Sequence, residues 1–500
     1  MLAGLVFVAS AAAGPLQDDL KARRARVMSR LDGQTMLVMW SASSRVYSLD
    51  VDYEPYRQDS DLLYLTGIEQ DNTILVLMPG NQSKKEILFV LEPDPRREHW
   101  NGHLLTKEEA TTASGVDTVL YVSQFEPFVS ALFGGTPPGA SGGPGGALGM
   151  GGLTRDEALK EFDTFFKAVA DGRPKMALLF GPRPREGAEL SQPYAYAKSA
   201  RDRLLNVTFV DAAPIVHALR LVKTPYERTV MQKGVDISCD AHAAGMRTAA
   251  PEKFEYQVRA AIEQVYMDNG AMSPGYPSIV GSGPNAMILH YAASNRQMKA
   301  GDLLLVDAAA NYQGLTGDVT RTYPVSGRFT EAQKDVYRIV LAAQEAGIQA
   351  SKAGAKVADV QKATAESIKQ GLLKLGLIVD ATGDQFRLWA THGTTHWIGM
   401  DVHDVGDYQT PLEPGMMFTI EPGVYVRQAA LDSLPDTPEN RALKEKIAPA
   451  FAKYAGIGIR IEDSFVVTET GLTNLSGKLP RTIEGVEGLM KGQTSTSRGR

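Results

Sequence analysis

The sequence predicts an α+β protein of two domains: an N-terminal mixed α/β domain, then a C-terminal domain in which helices pack outside an antiparallel sheet. Five hundred residues exceed what one hydrophobic core usually organises. The first two hundred or so alternate short apolar, β-prone runs with helical stretches. Beyond them, long amphipathic helices alternate with β-prone segments that carry acids.

Leu2 to Ala13 is an apolar run closing in small residues, with Ala9-Ser10-Ala11 and Ala11-Ala12-Ala13 as candidate cleavage sites. It reads as a secretory signal peptide within residues 1–20, although it lacks the usual Lys or Arg at its start. The run is too short to span a bilayer. A periplasmic or secreted location is the expectation, and a cytoplasmic one the alternative. Over 21–213, LKARRARVMSRL predicts a helix, and TMLVMW, NTILVLMP, KEILFVLE, TVLYVS, KMALLFG and NVTFVD predict strands. Helical stretches such as LTRDEALKEFDTFFKAVA separate them. FGGTPPGASGGPGGALGMGG is expected to be a mobile loop, and with no Lys-Ser/Thr pair behind it, it is not a phosphate-binding loop.

The second domain is expected over 214–488. Pro225 divides the helical stretch ALRLVKTPYERTVMQKGVDISCDAHAAGMRTAA, because proline disfavours helix at the residue before it. EAQKDVYRIVLAAQEAGIQAS and VADVQKATAESIKQGLLKLG are further amphipathic helices. Residues 427–455, charged and containing Pro435, Pro438 and Pro449, read as a surface insertion with a short helix, and residues 489–500 as a disordered tail. The net charge of −6 gives no basis for nucleic acid or anionic membrane as a partner. The one cysteine, Cys239, excludes an intramolecular disulfide and a thiolate zinc site, and says little about compartment.

Chemistry concentrates in the last two hundred residues. LLLVDAAANYQGLTGDVTRTYPV carries Asp307 and Asp318, THGTTHWIGMDVHDVG carries His396, FTIEPGVY carries Glu421, and GIGIRIEDSFVV carries Glu462. Taken singly, an acid at a strand end is a turn or cap residue. Four acids on the inner faces of four strands are poor core design unless a cation sits among them. Oxygen donors with one imidazole suit Mn, with Co or Zn as alternatives. Two such ions would bridge a water, lower its pKa and clamp the oxygens of a tetrahedral intermediate.

These motifs, in this order, resemble the pita-bread metallopeptidases, and among them the Xaa-Pro aminopeptidases (aminopeptidase P, family M24B). The resemblance runs from YEPYRQDSDLLYLTG through EDSFVVTETG. It implies a curved antiparallel sheet flanked by helices, with two divalent ions, most naturally Mn, bound per chain. Asp318 and Glu462 would bridge the ions, Asp307 would complete one site, and His396 with Glu421 the other. Glu421 would also serve as general base. His403 would donate to the carbonyl oxygen, His290 would contact the peptide near the scissile bond, His392 would line the product side, and Tyr425 would close over the substrate. Tyr276 and Arg460 would support Asp307; Arg460, two residues before Glu462, is expected on the same strand and face.

The implied substrates are peptides with proline second, cleaved by the water held between the ions. The N-terminal domain would pack against a neighbouring subunit in a homo-oligomer, dimer or tetramer, and put Trp100 near a cleft. A prolidase limited to Xaa-Pro dipeptides is the alternative, and a non-catalytic binding protein on the same fold a third. Trp397 matches the aminopeptidase pattern more than the prolidase one.

Overall fold

The computed structural model describes residues 14–491 except 50, 53–55, 135–152, 182–183, 186 and 205. The apolar N-terminal run, the Gly/Pro-rich stretch from 135 and the tail beyond 491 lie outside the described residues. The chain divides into two compact units, 1–219 and 220–500.

All six strands expected in the first unit form, and they make one mixed sheet. Its order is Thr118–Tyr121, Glu86–Val90, Ile74–Leu77, Thr35–Trp40, Lys175–Leu178, Thr208–Asp211. The three adjacent strands from Glu86 to Trp40 pair antiparallel, and the outer pairings are parallel. Val38, Val76, Phe89 and Met176 pack on one face against Phe128 and Phe162. The first helix starts at Pro15, with Leu20 already buried. The stretch 155–170, expected as one helix, is two, Arg155–Glu161 and Asp163–Ala170. At the break, Glu161 accepts backbone N–H groups from Ser83 (2.7 Å) and Lys84 (2.6 Å).

In the second unit Pro225 opens the helix Pro225–Thr248, where its missing N–H costs nothing. Thr224 and Glu227 cap that helix reciprocally, at 3.1 and 2.9 Å. Among the described residues three three-stranded antiparallel sheets follow, two of which carry the strands that matter here. Leu303–Asp307 lies between Ile279–Ser282 and Thr320–Pro324, while Asp463–Thr468 lies between Met417–Ile420 and Gly471–Asn474. An antiparallel bridge between Thr320 and Glu462 joins them. The helix Glu331–Ala350 packs on this seam: Gln344 donates to the Ile420 carbonyl (3.1 Å) and to Asp463 (3.0 Å).

Two expectations need correcting. The segment after Arg427 holds a 17-residue helix, Pro438–Tyr454, rather than a short surface one. It buries Leu443, Ile447 and Tyr454, and the Phe451 ring stacks on Trp389 at 6.0 Å. That apolar face outweighs the hydrogen bond lost at Pro449. At the other end, residues 489–491 complete the helix Ile483–Lys491, because Val486 and Met490 are buried one turn apart.

Candidate metal centre

The four acids converge, but only Asp307 does so from within a strand. Asp307 ends Leu303–Asp307 opposite Thr320, and Asp318 lies two residues before that partner strand. A small hairpin, Ala310–Tyr312 with Leu315–Thr316, fills the connection between them. Glu421 sits between Met417–Ile420 and Gly423–Tyr425, and Glu462 between Gly458–Arg460 and Asp463–Thr468. Three acids thus stand at strand breaks, and Arg460 and Glu462 do not share a continuous strand. Strand interruptions re-aim side chains, so several carboxylates can face one point. His396 arrives on a segment that runs along Met417–Ile420, through Thr419 N–H to the His396 carbonyl and Glu421 N–H to the Thr394 carbonyl, both 2.9 Å.

His396 Nε2 lies 3.5 Å from Asp318 Oδ2, 3.5 Å from Glu421 Oε1 and 3.7 Å from Glu462 Oε1. The ligand atoms of Asp318, His396 and Glu462 fall within 4.8 Å of one another, a spacing one ion can bridge. Asp307 joins through Tyr276, whose hydroxyl is 2.7 Å from Asp307 Oδ1 and also touches Asp318 Oδ1. One hydroxyl proton serves only one of the two carboxylates at a time.

Charge is unevenly supported. Burial would raise the Asp307 carboxyl, but Arg460, paired with it, and Tyr276 hold it below the usual range. Asp318 pairs with no arginine, and burial with Glu462 and Asp307 beside it pushes it far up in spite of His396. Burial and Glu462 lift Glu421 to about 8. His396 keeps its proton despite burial because Asp318, Glu462 and Glu421 surround it. Glu462 Oε2 accepts from Thr320 Oγ1 at 2.6 Å, whereas its buried Oε1 has no hydrogen-bond partner. A buried carboxylate oxygen without a donor, facing other carboxylates, is a set of residues that fits divalent cations.

The second row of contacts explains Tyr425. Arg460 Nη1 donates to Tyr425 Oη at 3.0 Å, and that hydroxyl lies 2.9 Å from His392 Nε2. Burial and Arg460 lower the His392 pKa to about 4, so its ring is neutral. With its Nδ1 at 2.6 Å from the Gly393 carbonyl, that nitrogen carries the proton, and Nε2 accepts from Tyr425. Tyr425 is 1 % exposed and packed among Ile279, Leu305 and Tyr291. It is therefore a prop for Arg460 and His392 rather than a cover over substrate, and His392 uses both ring nitrogens internally. Trp397 is likewise fully buried, stacked on Tyr408 at 5.8 Å. His403 and His290 are exposed; the His403 ring lies 4.5 Å from His396 and 6.3 Å from His290.

Known proteins match this chain over most of its length. Residues 229–469 match the metallopeptidase family M24 and residues 20–137 the aminopeptidase P N-terminal domain. A relative named Xaa-Pro aminopeptidase, from Escherichia coli (strain K12), is 33 % identical over 484 residues, covering 95 % of this chain and 98 % of its own. The chain belongs to the aminopeptidase P family of M24 metallopeptidases. Two solved structures of E. coli aminopeptidase P superpose closely. The one with the inhibitor Pro-Leu has a TM-score of 0.76 at 30 % identity, covering 95 % of this chain and 98 % of that one. The Zn-substituted one in complex with product has 0.77 at 30 %, covering 96 % and 99 %.

As an aminopeptidase P family member, the chain has a site for divalent metal ions, and the donor set described above fits them. One supporting residue escaped the sequence reading. Thr320 donates to Glu462 and accepts from Arg460 Nε at 3.2 Å, so it ties a candidate ligand to the cation that neutralises Asp307. Its spacing of two from Asp318, the period of a strand face, was the available signal.

The protons held by the metal-free cluster have a measurable consequence. Asp318, Glu421 and His396 all have raised pKa values, whereas His242, His392 and His403 are lowered from 6.5 and oppose them below it, so the folded chain binds more protons than the unfolded chain between about pH 6.5 and about pH 8. Stability of the chelated protein should therefore fall as pH rises across that window. Metal uptake must expel those protons, so affinity should rise about tenfold per pH unit for each proton displaced. Titration calorimetry in buffers of different ionisation enthalpy should detect the release, and the Tm gain on adding Mn should be larger at pH 8.5 than at pH 6. Equal gains at both would contradict the protonation pattern.

Proposed function

We propose that this chain is a metal-dependent aminopeptidase that removes one N-terminal residue from peptides whose second residue is proline. The observation that carries the reading is the convergence of His396 with Asp318, Glu421 and Glu462, joined to Asp307 through Tyr276 and Arg460. Two divalent ions, Mn by the oxygen-rich donor set, would be held by Asp307, Asp318, His396, Glu421 and Glu462, and would supply an acidified water and polarise the scissile carbonyl.

The remaining steps belong to side chains. Glu421 takes the proton of the attacking water on a carboxylate oxygen and passes it to the leaving proline nitrogen. His403 donates to the carbonyl oxygen as charge develops there; burial together with His396 and His290 lowers its pKa, so it serves as a neutral N–H donor. His290, on the same exposed rim, orients the peptide. Trp100, 82 % exposed on the N-terminal unit, offers apolar surface for packing in a homo-oligomer.

A bond before proline is a tertiary amide with no N–H and a fixed ring, so it is selected by a shaped pocket rather than by backbone hydrogen bonding. The Mn-loaded enzyme should cleave Xaa-Pro-Yaa with kcat/KM roughly 10²-fold above Xaa-Ala-Yaa. Xaa-Pro-Yaa should also exceed the Xaa-Pro dipeptide. Preference for the dipeptide would make the enzyme a prolidase, and indifference to proline would overturn the specificity while leaving the metal chemistry standing.

A further inference from the structure

Beneath the loop that carries His403 lies a group of buried charges with no part in metal binding. Asp404, the next residue, accepts from Arg220 Nη2 on Oδ1 at 2.5 Å and from Lys223 Nζ on Oδ2 at 2.9 Å. Arg220 Nη2 also donates to Asp401 Oδ2 at 2.9 Å, across the same loop. The side chains of Asp404, Arg220 and Lys223 are 1 %, 2 % and 1 % exposed. The backbone closes onto this group: Asp404 N–H donates to the Trp397 carbonyl at 2.9 Å, and Gly399 N–H to the Asp401 carbonyl at 3.2 Å. A Cβ at Gly399 would lie 2.2 Å from Asp404 Oδ2.

Two cations and a carboxylate stripped of water are a poor route to stability compared with apolar packing of the same volume. What such a cluster does well is set one geometry, because any displacement strands a buried charge. Here the fixed geometry is that of the residue adjoining His403. We propose that Asp404, clamped by Arg220 and Lys223, is a positioning residue that fixes the backbone aiming His403 at the substrate carbonyl oxygen. This rests on the role of His403 given above.

A double-mutant cycle on the Mn-loaded full chain tests it, using Asp404→Asn, His403→Ala and the double variant on an Xaa-Pro-Yaa peptide, with metal content measured alongside. Asp404→Asn should lower kcat about 10- to 100-fold, the range for a residue that orients an active-site group, with KM within about threefold and metal content unchanged. In the His403→Ala background the same substitution should cost nothing further. Equal losses in both backgrounds, or loss of metal, would overturn the proposal. If Asp404→Asn does not fold, Lys223→Met, which keeps the Arg220 contact, should give a smaller loss, about 3- to 10-fold, that also vanishes in the His403→Ala background. A wild-type kcat for His403→Ala would remove the reading of His403 and the proposal together, an outcome separable from additive losses on an already impaired His403→Ala.

Discussion

Glu462→Gln should lose metal and activity together. The side chain is 1 % exposed, with one carboxylate oxygen satisfied by Thr320 and the other left without a hydrogen bond in the middle of the cluster. The amide is nearly isosteric, so Thr320 and the bridge to its strand survive, and the fold should too. What changes is the unsatisfied oxygen: it becomes an uncharged NH₂ or loses its negative charge, and with it goes the charge a bridging ligand would need. Elemental analysis should find about two ions per wild-type chain and fewer than about one in the variant, with activity down by at least about 10³. Full metal content in the variant, or activity that survives chelation, would sink the dinuclear reading.

His403→Ala should separate catalysis from metal binding. The ring stands beside His396 without reaching the carboxylates that His396 contacts, and its lowered pKa keeps it neutral at assay pH. Removing one preorganised donor to a developing oxyanion typically costs about 10²–10³ in kcat, so that loss is expected with metal content unchanged. His396→Ala is the contrast: its Nε2 faces three carboxylates, and its removal should empty the site and abolish activity together. Parallel loss of metal in both variants would make His403 a ligand or a fold residue instead.

Much of this protein is legible in local sequence. The six strands of the first unit's large sheet, the helix opened by Pro225 and the amphipathic helices Glu331–Ala350 and Val357–Leu375 follow from hydrophobic period and capping residues, which act over a few positions. The motif order around Asp307, Asp318, His396, Glu421 and Glu462 is equally a property of the chain, and it is enough to point to the family. The helix Pro438–Tyr454 is hidden in the local sequence because three prolines dominate its neighbourhood, while the face that decides it packs on Trp389, which lies outside the segment.

Tertiary structure alone decided what each acid is. Asp307 and Asp318 are the same residue type eleven positions apart, yet one carboxyl is held below its ordinary pKa and the other pushed far above it, because Arg460, 153 positions from Asp307, pairs with only one of them. It also decided that Tyr425 props Arg460 from inside the core, and that Arg220 and Lys223 reach Asp404 from more than 180 positions away. Residue type and period set which groups are available and which local structures form, since both are governed by near-neighbour sterics and burial. Which charges become neighbours in a dry site is governed by chain closure over long separations, and electrostatic effects there depend on distances that no local pattern encodes.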